Sequence, residues 1–220
     1  MIIIGSRDIG PTKYINEYIK DLKNVLWIRT NKNKQLVNDF KQISKFKDKK
    51  PQLILTGSCI GSGLDKELIL YGKKNKIKSA SFIEHWSLLK ERFLVKKNKL
   101  LKPDYLFVID NETKKFYIKN LKFKKENIFV IGSNYLNKIN KIKKVKKINK
   151  NGSVIKNILF ISQPHKKLQY KLSKLFGIEN YFGFSEYNVV NNILKNIDLN
   201  IINFFIKLHP NEKPDKFNIF

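Results

Sequence analysis

Three side chains in this sequence stand where a proton could be taken from a hydroxyl group. They are Asp8, in Gly5-Ser6-Arg7-Asp8-Ile9-Gly10, and the neighbours Glu84 and His85, in Glu84-His85-Trp86. A histidine beside a carboxylate can be a tuned acid or base, and the indole next to it can stack on a sugar or base ring. The other reading of this triplet is a buried tryptophan with a capping glutamate. Asp8 is either the N-terminal cap of the helix that follows or a general base. A further imidazole, His209, precedes Pro210. Proline forces an extended backbone on the residue before it, so His209 ends a strand with its ring held at the tip. There it could hydrogen-bond a phosphate, or the dipeptide could simply terminate the strand.

Two glycine-rich stretches accompany these groups. Gly5 and Gly10 let the backbone turn tightly, and the helix after them favours an anion or an acceptor hydroxyl at its N-terminus. Thr56-Gly57-Ser58 through Gly61-Ser62-Gly63 is the second such turn. Neither is a Gly-x-Gly-x-x-Gly or a P-loop, so neither a dinucleotide cofactor nor ATP hydrolysis is indicated. No cluster of histidines and carboxylates has metal-ligand spacing, so no metal is expected. The single cysteine, Cys59, excludes an intramolecular disulfide and reads as a small buried hydrophobe.

These groups need strands and helices to position them, and the sequence supplies both in alternation. Strands are expected at Met1 to Ile4, Val25 to Arg29, Leu53 to Thr56, Lys78 to Ile83, Tyr105 to Ile109 and Ile128 to Ile131. Helices are expected at Thr12 to Lys23, Gln35 to Ile43, Leu64 to Asn75 and Thr113 to Lys119. The first of these places Tyr14, Ile15, Tyr18, Ile19 and Leu22 on one face. Strands and helices alternating at this spacing predict an α/β fold, a parallel sheet covered on both faces. Residues 127 to 178 then contain no acidic side chain, and lysines crowd positions 138 to 150. That stretch reads as a solvated connection, giving domains at 1–137 and 154–220 joined by a basic linker at 138–153. After it come a strand at Ile158 to Ile161 with Ser162-Gln163-Pro164 at its tip, a helix at Tyr187 to Asn196, and a strand at Ile201 to Leu208.

Composition narrows the classes. Hydrophobic residues make up 42% of 220, enough for a core. No apolar run approaches the roughly 20 residues of a membrane span, and no signal peptide is evident, so a cytoplasmic protein is expected. The net charge of +27 would suit nucleic acid, but of 45 basic residues only Arg7, Arg29 and Arg92 are arginine. Base readout and phosphate clamping favour arginine, so no specific nucleic acid partner is expected. Diffuse lysine charge suits peripheral contact with an anionic membrane, here the inner face of the plasma membrane.

In order along the chain, these stretches resemble bacterial surface-polysaccharide glycosyltransferases of the GT-B type. The similarity includes relatives of sialyl- and polysialyltransferases and of CDP-glycerol glycerophosphotransferases. It is carried by Ile4 to Gly10, Thr56-Gly57-Ser58 to Glu67, Glu84-His85-Trp86 with Arg92-Phe93, Pro103 to Asn137, Ile158 to Pro164 and Lys207 to Glu212. Glu84 stands where an aspartate is usual. The resemblance implies two Rossmann-like domains and no cofactor, with a nucleotide-sugar as donor. The first domain would hold a glycan or lipid-linked acceptor through Gly5, Arg7, Gly10, Gly57, Ser58, Trp86 and Arg92. Asp8, Glu84 and His85 would be the candidate catalytic bases. Ser162, Gln163, His209 and Pro210 would face the nucleotide and its phosphate. Such proteins continue for several more strand–helix units after the His-Pro pair, so a C-terminally truncated transferase, which truncation could inactivate, is the expectation. A nucleotide-sugar 2-epimerase is the alternative enzyme, and a non-catalytic glycan-binding scaffold the alternative of another class.

Overall fold

The computed structural model describes residues 1–28, 51–61, 63–95, 99–140, 157–177, 179, 182–210 and 212–218. The chain divides into two compact units, Met1–Lys143 and Lys144–Phe220.

In the first unit, strands β1 (Ile2–Gly5), β2 (Val25–Ile28), β3 (Leu53–Thr56), β4 (Lys78–Ile83), β5 (Tyr105–Val108) and β6 (Ile128–Val130) form one sheet in the order β2-β1-β3-β4-β5-β6. Every pairing is parallel. Helices α1 (Ile9–Ile19), α2 (Leu64–Lys74), α3 (Asn111–Leu121) and α4 (Asn134–Asn140) accompany it. This is the α/β, Rossmann-like sheet that the alternation of elements predicts.

Successive side chains of a strand point to opposite faces. Ile3 and Ile4 are nonetheless both fully buried, because both faces are covered. Ile4, Leu55 and Phe82 pack with Tyr14, Ile15 and Ile19 of α1. Ile3 and Ile54 pack on the other face with Leu64 and Leu68 of α2. On that second face Ile83, Leu106 and Val108 meet Tyr117 and Leu121 of α3. Each such fully buried aliphatic side chain contributes about 1.5–3 kcal/mol. Gly5 sets how closely α2 can lie: a Cβ there would come within 2.5 Å of Leu68 Cδ1 and 3.0 Å of Leu64 Cδ2.

The register brings Gly5, Thr56 and Ser81 level at the carboxyl edge of the sheet. Thr56 Oγ1 and Ser81 Oγ share a buried hydrogen bond of 2.6 Å there. From β1 the chain steps to β2 on one side and to β3 on the other, so the loops leaving β1 and β3 part at this edge. Ligands of open parallel sheets bind at such a switch point.

Element ends differ from the sequence expectation for local reasons. Helix α1 starts at Ile9, three residues early, because Pro11 in a first turn lacks only an N–H that would have no partner there. It stops at Ile19 and leaves Leu22 47% exposed. Helix α3 starts at Asn111 because the Asp110 side chain accepts the Thr113 N–H at 2.7 Å and caps it. Asp104 of Pro103-Asp104-Tyr105 accepts from the Ser79 N–H and from Lys78 Nζ, both at 2.9 Å. That motif therefore pins the start of β4 and is remote from the carboxyl edge. Residues 138–140, the beginning of the expected linker, belong to helix α4. The rest of that linker and the expected helix Gln35 to Ile43 lie outside the described residues.

In the second unit, β7 (Asn157–Ile161) and β8 (Asn203–Lys207) pair in parallel, with helices α5 (His165–Phe176) and α6 (Glu186–Lys195). Helix α5 has no counterpart among the sequence expectations. Its Leu172 is fully buried, and Gly177, at φ 66°, ends it in the left-handed conformation. A capping box of Ser185 and Asn188 starts α6. Both strands alternate half-buried with exposed residues, leaving Leu159, Ile161 and Phe205 exposed on one face.

Candidate functional site

The carboxyl edge of the first unit gathers most of the expected residues of that unit. Its centre is Arg92, in a short 3-10 turn at Glu91–Phe93. Arg92 Nη1 donates to Glu84 Oε1 at 3.1 Å, to the Ser58 carbonyl at 3.1 Å and to Ser58 Oγ at 3.0 Å. Its Nε donates to the Ser87 carbonyl at 3.0 Å. One guanidinium thus ties the loop after β3 to the loop after β4, with 7% of its side chain exposed. Glu84 accepts a second, longer hydrogen bond from Ser58 Oγ at 3.4 Å, and its side chain is 19% exposed. It borders a cavity of about 290 Å³ that Gly10, Lys13, Tyr14, Glu17 and Ser133 also line. The floor of this region is held by Tyr14, whose hydroxyl donates to the Gly132 carbonyl, as does that of Tyr18 at 3.1 Å.

Gly57 fits only because it lacks a side chain. A Cβ there would run into Ser6 Oγ, lie 2.7 Å from Pro11 Cβ and lie 3.1 Å from Asp65 Oδ1. Arg7 bridges the loops after β1 and β3 by donating to the Ile60 carbonyl at 3.0 Å, and it also pairs with exposed Asp8 at 3.1 Å. The Asp8 side chain makes no cap hydrogen bond to α1. His85 is exposed, and its Nδ1 accepts the Ser87 N–H at 3.0 Å. Trp86 is 50% exposed, and its Nε1 donates to Asp110 Oδ2 at 2.5 Å.

Sequence reasoning missed three residues here. Asp65 and Lys66 open α2 and are both buried. The Cys59 N–H donates to Asp65 Oδ2 at 3.3 Å, and Lys66 Nζ donates to the Cys59 carbonyl. Burial pushes the Asp65 carboxyl up, against the hydrogen bonds from Cys59 and the charge of Lys66. Burial brings the Lys66 ammonium down to about 8, against the charges of Asp65 and Cys59. The signal was present for Asp65, since it shares a helix face with Leu68, Ile69 and Gly72. The third, Asp110, stands between a strand and a helix three residues ahead of Thr113, which is the position of a cap.

In the second unit, Ser162 is fully buried, its N–H donating to the Lys207 carbonyl at 2.9 Å and its hydroxyl to Glu212 Oε1 at 3.0 Å. The His209 N–H donates to Glu212 Oε2 at 2.7 Å. Glu212 therefore joins the tips of β7 and β8, although sequence reading gave that place to a phosphate. Glu186 does the same for α5, accepting the Lys166 N–H at 2.9 Å. Lys216 bridges the two carboxylates, 2.5 Å from Glu186 Oε1 and in contact with Glu212. Beside this ionic core, Lys166, Lys167, Tyr170, Tyr187 and Lys213 help line a cavity of about 600 Å³. Gln163 is exposed, and so is Pro210, in a turn three residues past the end of β8.

Among the described residues, no group of three histidines, cysteines or carboxylates could hold a metal ion, and no helix is long and apolar enough to cross a membrane.

No family model matches the chain, and no curated protein matches it at a significant level. Among solved structures, a UDP-GlcNAc 2-epimerase from Methanocaldococcus jannaschii is similar at a TM-score of 0.49 and 16% sequence identity. That match covers 95% of this chain, which spans 65% of the length of the epimerase chain.

Proposed function

We propose that the chain is a glycosyltransferase-like protein of cell-surface polysaccharide synthesis. In this reading residues 1–137 receive a glycan or lipid-linked acceptor, and residues 154–220 form part of a nucleotide-sugar side, with 138–153 as linker. One observation carries the reading. Glu84 is oriented by Arg92 at the switch-point edge of the sheet and borders a cavity there. A carboxylate so placed takes the proton of an acceptor hydroxyl as the hydroxyl oxygen attacks the anomeric carbon. The bond to the nucleotide phosphate breaks, and the phosphate leaves with the electron pair. Lys166, Lys167 and Lys213, with His209 at the β8 tip, supply donors and positive charge for a phosphate in the second unit. Arg7 and Ser58 shape the acceptor loops, and exposed Asp8 and His85 flank them.

The test uses the whole chain with UDP-, CMP- and GDP-sugars and an envelope glycan extract, following nucleotide release and sugar incorporation. Glu84→Gln should lower turnover about 100-fold or more while leaving the donor KM unchanged. Appearance of the C2 epimer of the donor sugar without any acceptor would instead assign the epimerase chemistry. Saturable glycan binding with no nucleotide dependence would assign a scaffold.

A further inference from the structure

We propose that Trp86, locked by Asp110, is a platform for a pyranose ring of the acceptor. The idea rests on the glycan-acceptor reading above and gives it a subsite. A large indole that is half exposed would ordinarily sample several rotamers. Here its one polar atom is tied to Asp110 at 2.5 Å, and Asp110 is itself fixed by the Thr113 N–H at 2.7 Å. The ring is therefore ordered before any ligand arrives, and binding need not supply that order. A pyranose presents a flat face of C–H groups and a rim of hydroxyls. It needs an apolar plane with polar side chains at the edge.

The residues beside Trp86 provide that edge. His85 has its ring centroid 6.0 Å from that of Trp86, and its Nδ1 accepts the Ser87 N–H. In the neutral imidazole the proton is then on Nε2, an exposed donor for a ring hydroxyl. Glu84, two residues before Trp86, accepts hydrogen bonds only. A carboxylate acceptor, an imidazole donor and an anchored indole follow one another directly after β4. Asp110 acts through Trp86 and is a positioning residue.

The experiment uses the full chain carrying Trp27→Phe, so that Trp86 is the only tryptophan reporting fluorescence. Methyl pyranosides of glucose, galactose and N-acetylglucosamine are titrated to about 100 mM, well past the Kd of a weak millimolar site. Sorbitol, an open-chain polyol, and UMP are the controls. At least one pyranoside should change the Trp86 emission saturably, and sorbitol and UMP should not. By calorimetry on the otherwise unsubstituted chain, Trp86→Ala should abolish that binding. Asp110→Ser keeps a competent helix cap but is too short to hold the indole. It should raise Kd about 10-fold with an unchanged melting temperature, and Asp110→Asn should weaken binding too, because its one carbonyl oxygen cannot accept from both the Thr113 N–H and the indole N–H. No saturation by any pyranoside, an equal response to sorbitol, tighter binding of UMP, or unchanged affinity in Trp86→Ala each overturns the platform. Pyranoside binding without transfer from any nucleotide-sugar would sink the transferase reading and leave the platform standing. Transfer with an unchanged acceptor KM in Trp86→Ala would do the reverse.

Discussion

Arg92 Nη1 lies 3.1 Å from Glu84 Oε1, and the same nitrogen donates to both the carbonyl and the hydroxyl of Ser58. The pair is mostly withdrawn from water, so the loss of either partner acts on stability as well as on chemistry. Removing the cation leaves a largely buried carboxylate and two acceptors on Ser58 without their donor. Such a loss typically costs about 3–5 kcal/mol. Arg92→Met should therefore lower the melting temperature by roughly 10 °C in a chain of this size. Arg92→Lys keeps the charge but not the fork of donors, and should recover only part of that loss. Glu84→Gln keeps an oxygen toward Arg92 but leaves the guanidinium without a counter-charge, so it should lower the melting temperature less than Arg92→Met while turnover falls. Thermal unfolding of the three variants checks the order, and an Arg92→Met protein as stable as the parent would remove this account.

Gly57, in the loop after β3, and Gly10, in the first turn of α1, make a contrasting pair near the switch point. A Cβ at Gly57 meets Pro11, Asp65 and Ser6, whereas a Cβ at Gly10 meets nothing within 4 Å. Gly57→Ala should cost about 1–3 kcal/mol through forced shifts of both loops. Gly10→Ala, in the first turn of α1, should be neutral or stabilise by up to about 1 kcal/mol. Urea unfolding of both variants measures the contrast. Equal effects would mean that loop closeness at Gly57 is not what holds this edge.

The sequence made the parallel sheet and its strand tips readable, because strands buried on both faces are continuous apolar runs ended by glycine or polar residues. Glu84 and Arg92 were both marked as separate motifs. Their pairing was not readable, since it depends on a 3-10 turn that folds the loop back across eight residues. Asp65 and Lys66 were not singled out, although the period places Asp65 beside Leu68 and Ile69. At the β7 and β8 tips, Ser162 and His209 were read as facing a phosphate, and it was not legible that Glu212, three residues past His209, accepts from both. Helix α5 was hidden by its lysines, which dilute a repeat of leucines at 168, 172 and 175.

Lys66 gives the first unit a pH dependence of known sign. An unfolded lysine keeps its proton to about pH 10.4. Folded Lys66 releases it near 8, because burial disfavours the charge. Between those values the unfolded chain binds more protons, so this group makes stability rise with pH. The buried Cys59 thiol works the other way, since burial and then the charge of Asp65 raise it and the unfolded thiolate forms first. The whole-protein curve therefore mixes the two. Comparison with Lys66→Met isolates the lysine. The wild-type stability should gain on the variant, by on the order of 1–3 kcal/mol, between about pH 8 and about pH 10.4. A difference that stays flat across that window would mean Lys66 is not desolvated.

Lys216 sets the opposite pattern in the second unit. Burial alone would push the carboxyls of Glu186 and Glu212 up, but hydrogen bonds from Lys216 and from backbone N–H groups outweigh it and hold both below the usual range. Burial likewise pulls Lys216 down, and its bonds to the two glutamates more than reverse this. Carboxylates depressed in the folded state contribute stability above about pH 4.3 that is lost as the pH falls through their folded values. A raised lysine contributes stability below about pH 10.4 that is lost as the pH rises through its folded value. The second unit should thus be firmest across the neutral range and loosen at both ends. Lys216→Met should erase the alkaline loss and cost about 3–5 kcal/mol at neutral pH, because two buried carboxylates would then face each other without a cation. Adding Glu212→Gln should recover part of that cost by leaving a single charge. Amide exchange of the β7 and β8 backbone reads these changes locally. Protection of those strands that is unchanged in Lys216→Met would show that the tips are held by packing alone and that the Glu186–Lys216–Glu212 cluster is incidental.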